Sequence, residues 1–234
     1  MMCVALTGSL FAQATMTIDV DKPGHAVSPL LWGIFFEDIN LGADGGLYAE
    51  LVKNRSFEFT NAIMGWTQIT NHNGGGDLDF YHDDPVNLIN PRYLRVTSTG
   101  PGDFGVANEG FRGMGVKEGD TYDFSTQARA ADGTQPNLRV EIADGDGKVL
   151  ASGKLSGLTT KWQKQSLKLT PSGTEAKAHL NVYVEGKGTV DLDNVSLFPE
   201  KTWKNRPGGL RADMVQLLAD LHPGFLRFPG GCIV

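Results

Sequence analysis

The stretch Leu180-Asn-Val-Tyr-Val-Glu-Gly-Lys-Gly-Thr-Val-Asp-Leu-Asp193 decides how the middle of this 234-residue chain is read. Leu180, Val182 and Val184 alternate with Asn181, Tyr183 and Glu185; Val190 and Leu192 alternate with Asp191 and Asp193. A period of two puts one face of a strand in a core and the other toward solvent. Leu138, Val140 and Ile142 repeat the pattern against Arg139 and Glu141. Between such runs stand turn formers such as Asp144-Gly-Asp-Gly147, while Gly74-Gly75-Gly76 marks a loop. Short alternating strands at this spacing predict an antiparallel β-sandwich over residues 60–199.

On both sides of that zone the period changes. Leu30 to Phe36 is almost continuously apolar and closes at Glu37-Asp38, the signature of a strand buried on both faces. After the turn Gly42 to Gly46, Leu47, Tyr48, Leu51, Val52 and Arg55 recur at helical spacing, and Ser56 to Phe59 reads as a second short strand. Beyond the sandwich, Leu210, Met214, Leu217, Leu218 and Leu221 form one apolar stripe on a helix that Pro223-Gly224 stops. Phe225 to Phe228 is then a third strand, ending at Pro229-Gly230-Gly231. Strands alternating with helices give a parallel sheet with every post-strand loop on one face, the arrangement of a (β/α)8 barrel. A closed barrel takes roughly 250 residues, far more than the flanks supply. The expectation is therefore a partial TIM barrel, its first three strands carried by 15–59 and 200–234, interrupted by the sandwich.

Composition narrows the function. Twenty-one Lys+Arg against 27 Asp+Glu leave a net charge of −6, with no basic stripe for nucleic acid. No apolar run approaches the roughly 18 residues of a membrane span. Residues 1–14, apolar to Phe11 and closing on Ala12-Gln13-Ala14, read as a signal peptide, hence an exported protein, periplasmic or extracellular. Cleavage there removes Cys3 and leaves Cys232 alone. The five histidines show no i, i+4 pair, so zinc is not indicated. Asp144-Gly-Asp-Gly147 imitates half a calcium loop, but Lys148 and Leu155 stand where ligands belong, so it reads as a hairpin turn. No phosphate-cradling or dinucleotide motif is present, and no cofactor is required by any motif.

Longer motifs now become legible. Ser28-Pro-Leu-Leu-Trp-Gly-Ile-Phe-Phe-Glu-Asp-Ile-Asn40, then Asp44-Gly-Gly-Leu-Tyr-Ala-Glu-Leu-Val-Lys-Asn-Arg-Ser-Phe-Glu-Phe59, resemble the opening of glycoside hydrolase family 51 α-L-arabinofuranosidases. Gly209-Leu-Arg-Ala-Asp-Met214 and Phe225-Leu-Arg-Phe-Pro-Gly-Gly-Cys232 resemble that family's next helix and strand. The intervening segment, ending in Asp191-Leu-Asp-Asn-Val-Ser-Leu-Phe198, is similar to carbohydrate-binding modules of the CenC type, galactose-binding-like jelly rolls. The resemblance implies a retaining hydrolase that removes terminal arabinofuranose from arabinan or arabinoxylan, an arabinose-containing plant polysaccharide or oligosaccharide. It implies an acid/base Glu and a nucleophile Glu beyond Val234, so no catalytic residue is expected in this stretch, which by itself would be inactive. The full-length protein can be an oligomer. A stand-alone carbohydrate-binding protein and an endoglucanase on the same scaffold remain as alternatives.

By the same resemblance Glu37 contacts arabinose hydroxyls, and Arg227 and Cys232 line that pocket. The residues alone also allow Glu37 to cap a loop or pair with Arg227, and Arg227 to form a structural ion pair, since a guanidinium in an apolar strand needs a partner. Trp66 and Tyr81 flank the Gly-rich loop and are candidates for stacking on sugar; Phe111 and Trp162 are further aromatics, Trp162 the better placed for core packing. Glu58 with Asp191 or Asp193 matches a structural Ca²⁺ site of such modules, built from hard oxygen donors, with ordinary surface acids as the alternative.

Overall fold

The computed structural model describes residues 14–229. The leader reading and Cys232 fall outside those residues. Twelve strands and one α-helix follow one another along the chain after a first short strand: β1 Ile34–Phe35, β2 Trp66–Asn71, β3 Gly76–Tyr81, β4 Tyr93–Ser98, β5 Asp103–Asn108, β6 Met114–Val116, β7 Tyr122–Ala130, β8 Asn137–Ala143, β9 Val149–Leu155, β10 Gln163–Leu169, β11 Glu175–Glu185, β12 Gly188–Pro199, α1 Ala212–Asp220 and β13 Leu226–Arg227.

β2 to β12 build the predicted sandwich. One sheet has the order β10-β7-β12-β4-β3; the other runs β2-β5-β11-β8-β9, with β6 added against β11. Every pairing within them is antiparallel. The period-two residues face each other between the sheets: Leu180, Val182, Val184, Leu138, Val140 and Ile142 from one, Val190, Leu192, Leu94, Val96 and Phe124 from the other. Burying a side chain of this size is worth about 1.5–3 kcal/mol. β11 passes to β12, in the opposite sheet, through only Gly186-Lys187; Gly186 at φ 71 makes that turn without a Cβ penalty. Asp144 closes the β8–β9 hairpin, its Oδ1 accepting from the amides of Asp146 and Lys148 at 3.0 and 2.8 Å, as the turn reading anticipated.

The flanks depart from expectation in three ways. The strand read over 30–36 is only Ile34–Phe35. The helix over 47–55 and the strand over 56–59 do not form. That segment runs in turns, with Asn54 at φ 54 and Phe57 at φ 59, and it packs on the sandwich. Val52 and Phe57 enter the sandwich core, and the amide of Leu51 donates to the carbonyl of Leu197 at 3.0 Å. Third, β1 pairs directly and in parallel with β13, Ile34 opposite Leu226 and Phe35 opposite Arg227, with no strand between them. Two adjacent parallel strands replace the expected three, and a partial barrel is not established by them. The helix after the sandwich is where its stripe placed it, but none of its residues is buried and Leu217 stays 69% exposed.

Candidate functional site

The parallel pair positions the first candidate group. The amide of Phe36 donates to the carbonyl of Arg227 at 3.0 Å, so Glu37 and Arg227 lie at the same end of the two-stranded sheet. Arg227 is not the buried guanidinium that the apolar run suggested. It is exposed and lies over the Phe35 ring, 5.3 Å from its centroid. Glu37 is half-buried and its carbonyl accepts from the amide of Ile39 at 3.0 Å.

The outer face of the five-stranded sheet carries the aromatics. Tyr81 stacks on Tyr93 at 5.9 Å, and Trp162 meets the other side of Tyr93 edge-on at 5.3 Å. Arg95 covers Tyr81 at 4.3 Å and Arg129 covers Trp162 at 4.5 Å. Between them Asp191, fully buried, takes Arg95 through two bonds of 2.6 and 2.9 Å and Arg129 through one of 2.8 Å. Arg129 also bonds Asp84, and the Tyr93 hydroxyl donates to Asp83 at 2.7 Å. Burial first, and the Asp83 carboxylate second, push the Tyr93 phenol up to about 12.

These contacts bear on two readings. Both Asp191 oxygens already accept from guanidinium groups, which makes Asp193 the better placed of the two for a calcium ion. Trp66 cannot stack on a sugar: it is 3% exposed, packs against Phe57 at 5.3 Å and donates its indole N–H to the Asn54 carbonyl at 3.1 Å. Trp162, read as core, is half-buried over Arg129, with its indole N–H donating to the Asp84 carbonyl at 2.9 Å. Tyr81 remains half-buried on the outer face.

Asp193 behaves differently from Asp191, two residues away. The β12 register shifts between Asp193 and Ser196, where Asn194 takes φ 48; Asp193, just before this bulge, stands opposite Gln127, whereas Asp191 stands opposite Arg129. Burial, with the charge of Glu58 adding to it, pushes the Asp193 carboxyl up to about 7 although the Asn194 amide bonds it at 2.6 Å. Glu58 in turn accepts from the Arg92 amide at 2.7 Å. A buried carboxylate whose ionisation is opposed by a neighbouring carboxylate is a fitting place for a hard dication. No cluster of three or more His, Cys, Asp or Glu suited to a metal occurs among the described residues.

Three features were not singled out in the sequence. Glu50 is buried where the chain enters the sandwich; its Oε1 accepts from the amides of Val52 and Leu197 at 3.0 and 2.9 Å, and its Oε2 from the Ser196 hydroxyl at 2.6 Å. Burial holds its carboxyl above the usual range against these bonds. Beside it, a cavity of about 640 Å³ separates the sandwich from the flank, lined by Tyr48, Glu50, Phe111, Arg112, Lys117 and Arg211 among others. On the outer face of the six-stranded sheet, Arg139 bonds Asp103 and Glu141 and lies over Tyr183 at 4.5 Å. Only the alternation of Arg139 and Glu141 with core residues hinted at this last group.

Comparison with known proteins places these faces. Residues 49–193 match the family model described as carbohydrate binding domain. The chain belongs to that family. The module sits within a longer homology to family 51 α-L-arabinofuranosidases. An extracellular exo-α-L-arabinofuranosidase of Streptomyces chartreusis is 39% identical over 94% of this chain, and α-L-arabinofuranosidase 1 of Arabidopsis thaliana is 31% identical over 94%. A solved arabinose-bound family 51 α-L-arabinofuranosidase superposes over 90% of this chain with a TM-score of 0.80 at 36% identity. The chain spans 26% and 34% of the length of the two enzymes and 36% of the solved chain. The match beginning at residue 49 agrees with the packing of Val52 and Phe57 in the sandwich core.

Proposed function

We infer that this chain supplies a sugar-binding module and one wall of the sugar pocket to a retaining α-L-arabinofuranosidase that releases terminal arabinofuranose from arabinan or arabinoxylan. The observation that carries this reading is the parallel register of β1 with β13, which sets Glu37 and Arg227 at one sheet edge. Parallel neighbours whose following loops share an edge are what a barrel mouth is made of. In this reading β1 and β13 are adjacent barrel strands, Glu37 accepts hydrogen bonds from arabinose hydroxyls, and Arg227 and Cys232 border the same pocket. Retention needs two carboxyl groups about 5–5.5 Å apart. That pair is assigned to the part of the enzyme lying outside this sequence.

Export fits the reading, since the Streptomyces relative is named as extracellular and a polymeric substrate cannot be taken up whole. A Ca²⁺ ion held by Glu58 and Asp193 would replace the repulsion between them with coordination. Millimolar calcium is expected to raise the melting temperature and Asp193→Asn to abolish that rise; an unchanged melting temperature in the parent chain rules the site out.

The test of function is a chimera in which this chain replaces the homologous quarter of the Streptomyces enzyme. It should hydrolyse an aryl α-L-arabinofuranoside, and Glu37→Gln should lower kcat/KM by at least tenfold. Full activity in Glu37→Gln, or release from cellulose in place of arabinofuranoside, defeats the assignment. The sandwich has a core of its own, which also supports a second reading, a carbohydrate-binding protein in its own right. Polysaccharide binding with an inactive chimera would favour that reading.

A further inference from the structure

The segment that follows Glu37 is folded back on itself by its own hydrogen bonds. The Glu37 carbonyl accepts from the amide of Ile39 at 3.0 Å, and Asp38 Oδ1 accepts from the amide of Ala43 at 2.9 Å. The carbonyls of Ile39 and Gly42 accept from the amides of Gly42 and Leu47, each at 2.9 Å. Asn40 and Leu41, at φ 51 and φ 67, make the tight reversal that the Gly42 amide closes. Cross-bonded in this way, residues 37–47 are displaced together, so whatever holds the outer part of the loop also holds Glu37.

The outer part is held by the sandwich. The Phe111 side chain lies against Gly45, where a Cβ would stand 2.6 Å from Phe111 Cβ; Gly45 also takes φ 78, so glycine is required there on both counts. At the end of the same segment the Tyr48 ring meets Phe198 of β12 edge-on, with ring centres 5.3 Å apart. Phe111 is itself presented on a fixed turn. Asn108, the buried last residue of β5, accepts from the amides of Lys53 and Gly110 at 3.1 and 3.0 Å and donates to the Lys53 carbonyl at 2.9 Å. The Glu109 carbonyl then accepts from the amide of Gly113 at 3.1 Å. A continuous path of packed and bonded groups thus runs from β5 through Phe111 and Gly45 to Asp38 and Glu37.

Resting on the pocket reading of Glu37, we propose that Phe111 is a positioning residue: the sandwich braces the loop that carries Glu37 and so sets how tightly the pocket holds arabinofuranose, without touching the sugar. The module then acts on a small substrate that never reaches its own surface. Glu37 accepts from substrate hydroxyls and forms no bond to the anomeric carbon. Misplacing it removes an interaction made equally before and during bond cleavage, which raises KM and leaves kcat in place. A simple loss of folded enzyme does the reverse, lowering the apparent kcat at an unchanged KM.

Two readouts test the brace. In the chain itself, hydrogen exchange at the amides of Gly42, Ala43 and Leu47 is expected to quicken at least tenfold in Phe111→Ala, while Val140 and Val182 in the sandwich core keep their rates. In the Streptomyces chimera, Phe111→Ala should raise KM for an aryl α-L-arabinofuranoside at least threefold with kcat within twofold. Phe111→Leu should restore most of that loss, and Leu88→Ala, exposed in the β3–β4 loop, should change nothing. Added to Glu37→Gln, Phe111→Ala should cost nothing further, because residues that act through one contact are not additive. Gly45→Ala, which pushes the ring off its seat, takes the place of Phe111→Ala should that variant fail to fold. Unchanged exchange, an unchanged KM, or a full second loss on top of Glu37→Gln overturns the brace while the pocket reading stands. A silent Glu37→Gln overturns both, and with an inactive chimera the exchange rates alone decide the brace.

Discussion

The sandwich and its flanks come from one chain but are held in different ways. In the sandwich, two sheets bury Leu94, Phe104, Leu138, Ile142, Leu180 and Leu192 completely. In the flanks, α1 buries no residue, and Leu31, Phe35, Leu226 and Phe228 of the two-strand region are all more than half exposed. Apolar periodicity is equally strong in both regions, so periodicity does not create a core. A core needs a second layer, and only the sandwich has one among the described residues.

The sharpest way to break this comparison is a pair of truncations. Phe104→Ala is expected to destabilise the chain by about 3–5 kcal/mol, read as a lower denaturant midpoint, because Phe104 is wholly enclosed. Leu217→Ala on exposed α1 should change the midpoint by no more than about 0.5 kcal/mol. Equal effects would show that the helix is held as firmly as the sandwich.

A comparable loss, about 3–5 kcal/mol, is expected for Asp191→Ala, which leaves Arg95 and Arg129 without their shared carboxylate. Thermal melting checks it. A near-neutral result would mean that the arginines turn to solvent at little cost.

The smallest effect sharpens the boundary between the two regions. Burial raises the Glu50 carboxyl above its ordinary value, so the folded chain holds that proton more tightly than the unfolded one. Its share of stability is therefore fully present below the ordinary carboxylate pKa, about 4.3, and is lost as pH rises through the higher folded value. Glu50→Gln should flatten the stability-versus-pH curve in that window. Chemical denaturation from pH 4 to pH 8 measures it. An unchanged curve would mean that Glu50 is solvated and the seam loose.

Sequence legibility followed the same division. The sandwich was readable because strand alternation is local, each residue declaring its own face. The helix at 212–220 was readable from its stripe for the same reason. Residues 47–59 were misread as helix and strand because their partners lie about 140 positions away: Leu51 and Glu50 bond Leu197, and Phe57 joins a core assembled later in the chain. Local spacing carries no trace of such a partner. Trp66 was misplaced for a related reason, since its burial depends on Phe57 held at φ 59. Asp191 and Asp193 look alike in sequence and differ only through Arg95, Arg129 and the bulge after Asp193. Glu37 and Arg227 were named as pocket residues by motif resemblance. The Arg139 group was visible only as alternating polar residues.

The clasp between residues 50–55 and 195–197 brings the two ends of the sandwich module side by side, through Leu51 to Leu197, Val195 to Arg55 and Glu50 to Ser196. Tension applied across the flanks is therefore met first where residues 50–55 hold the end of β12.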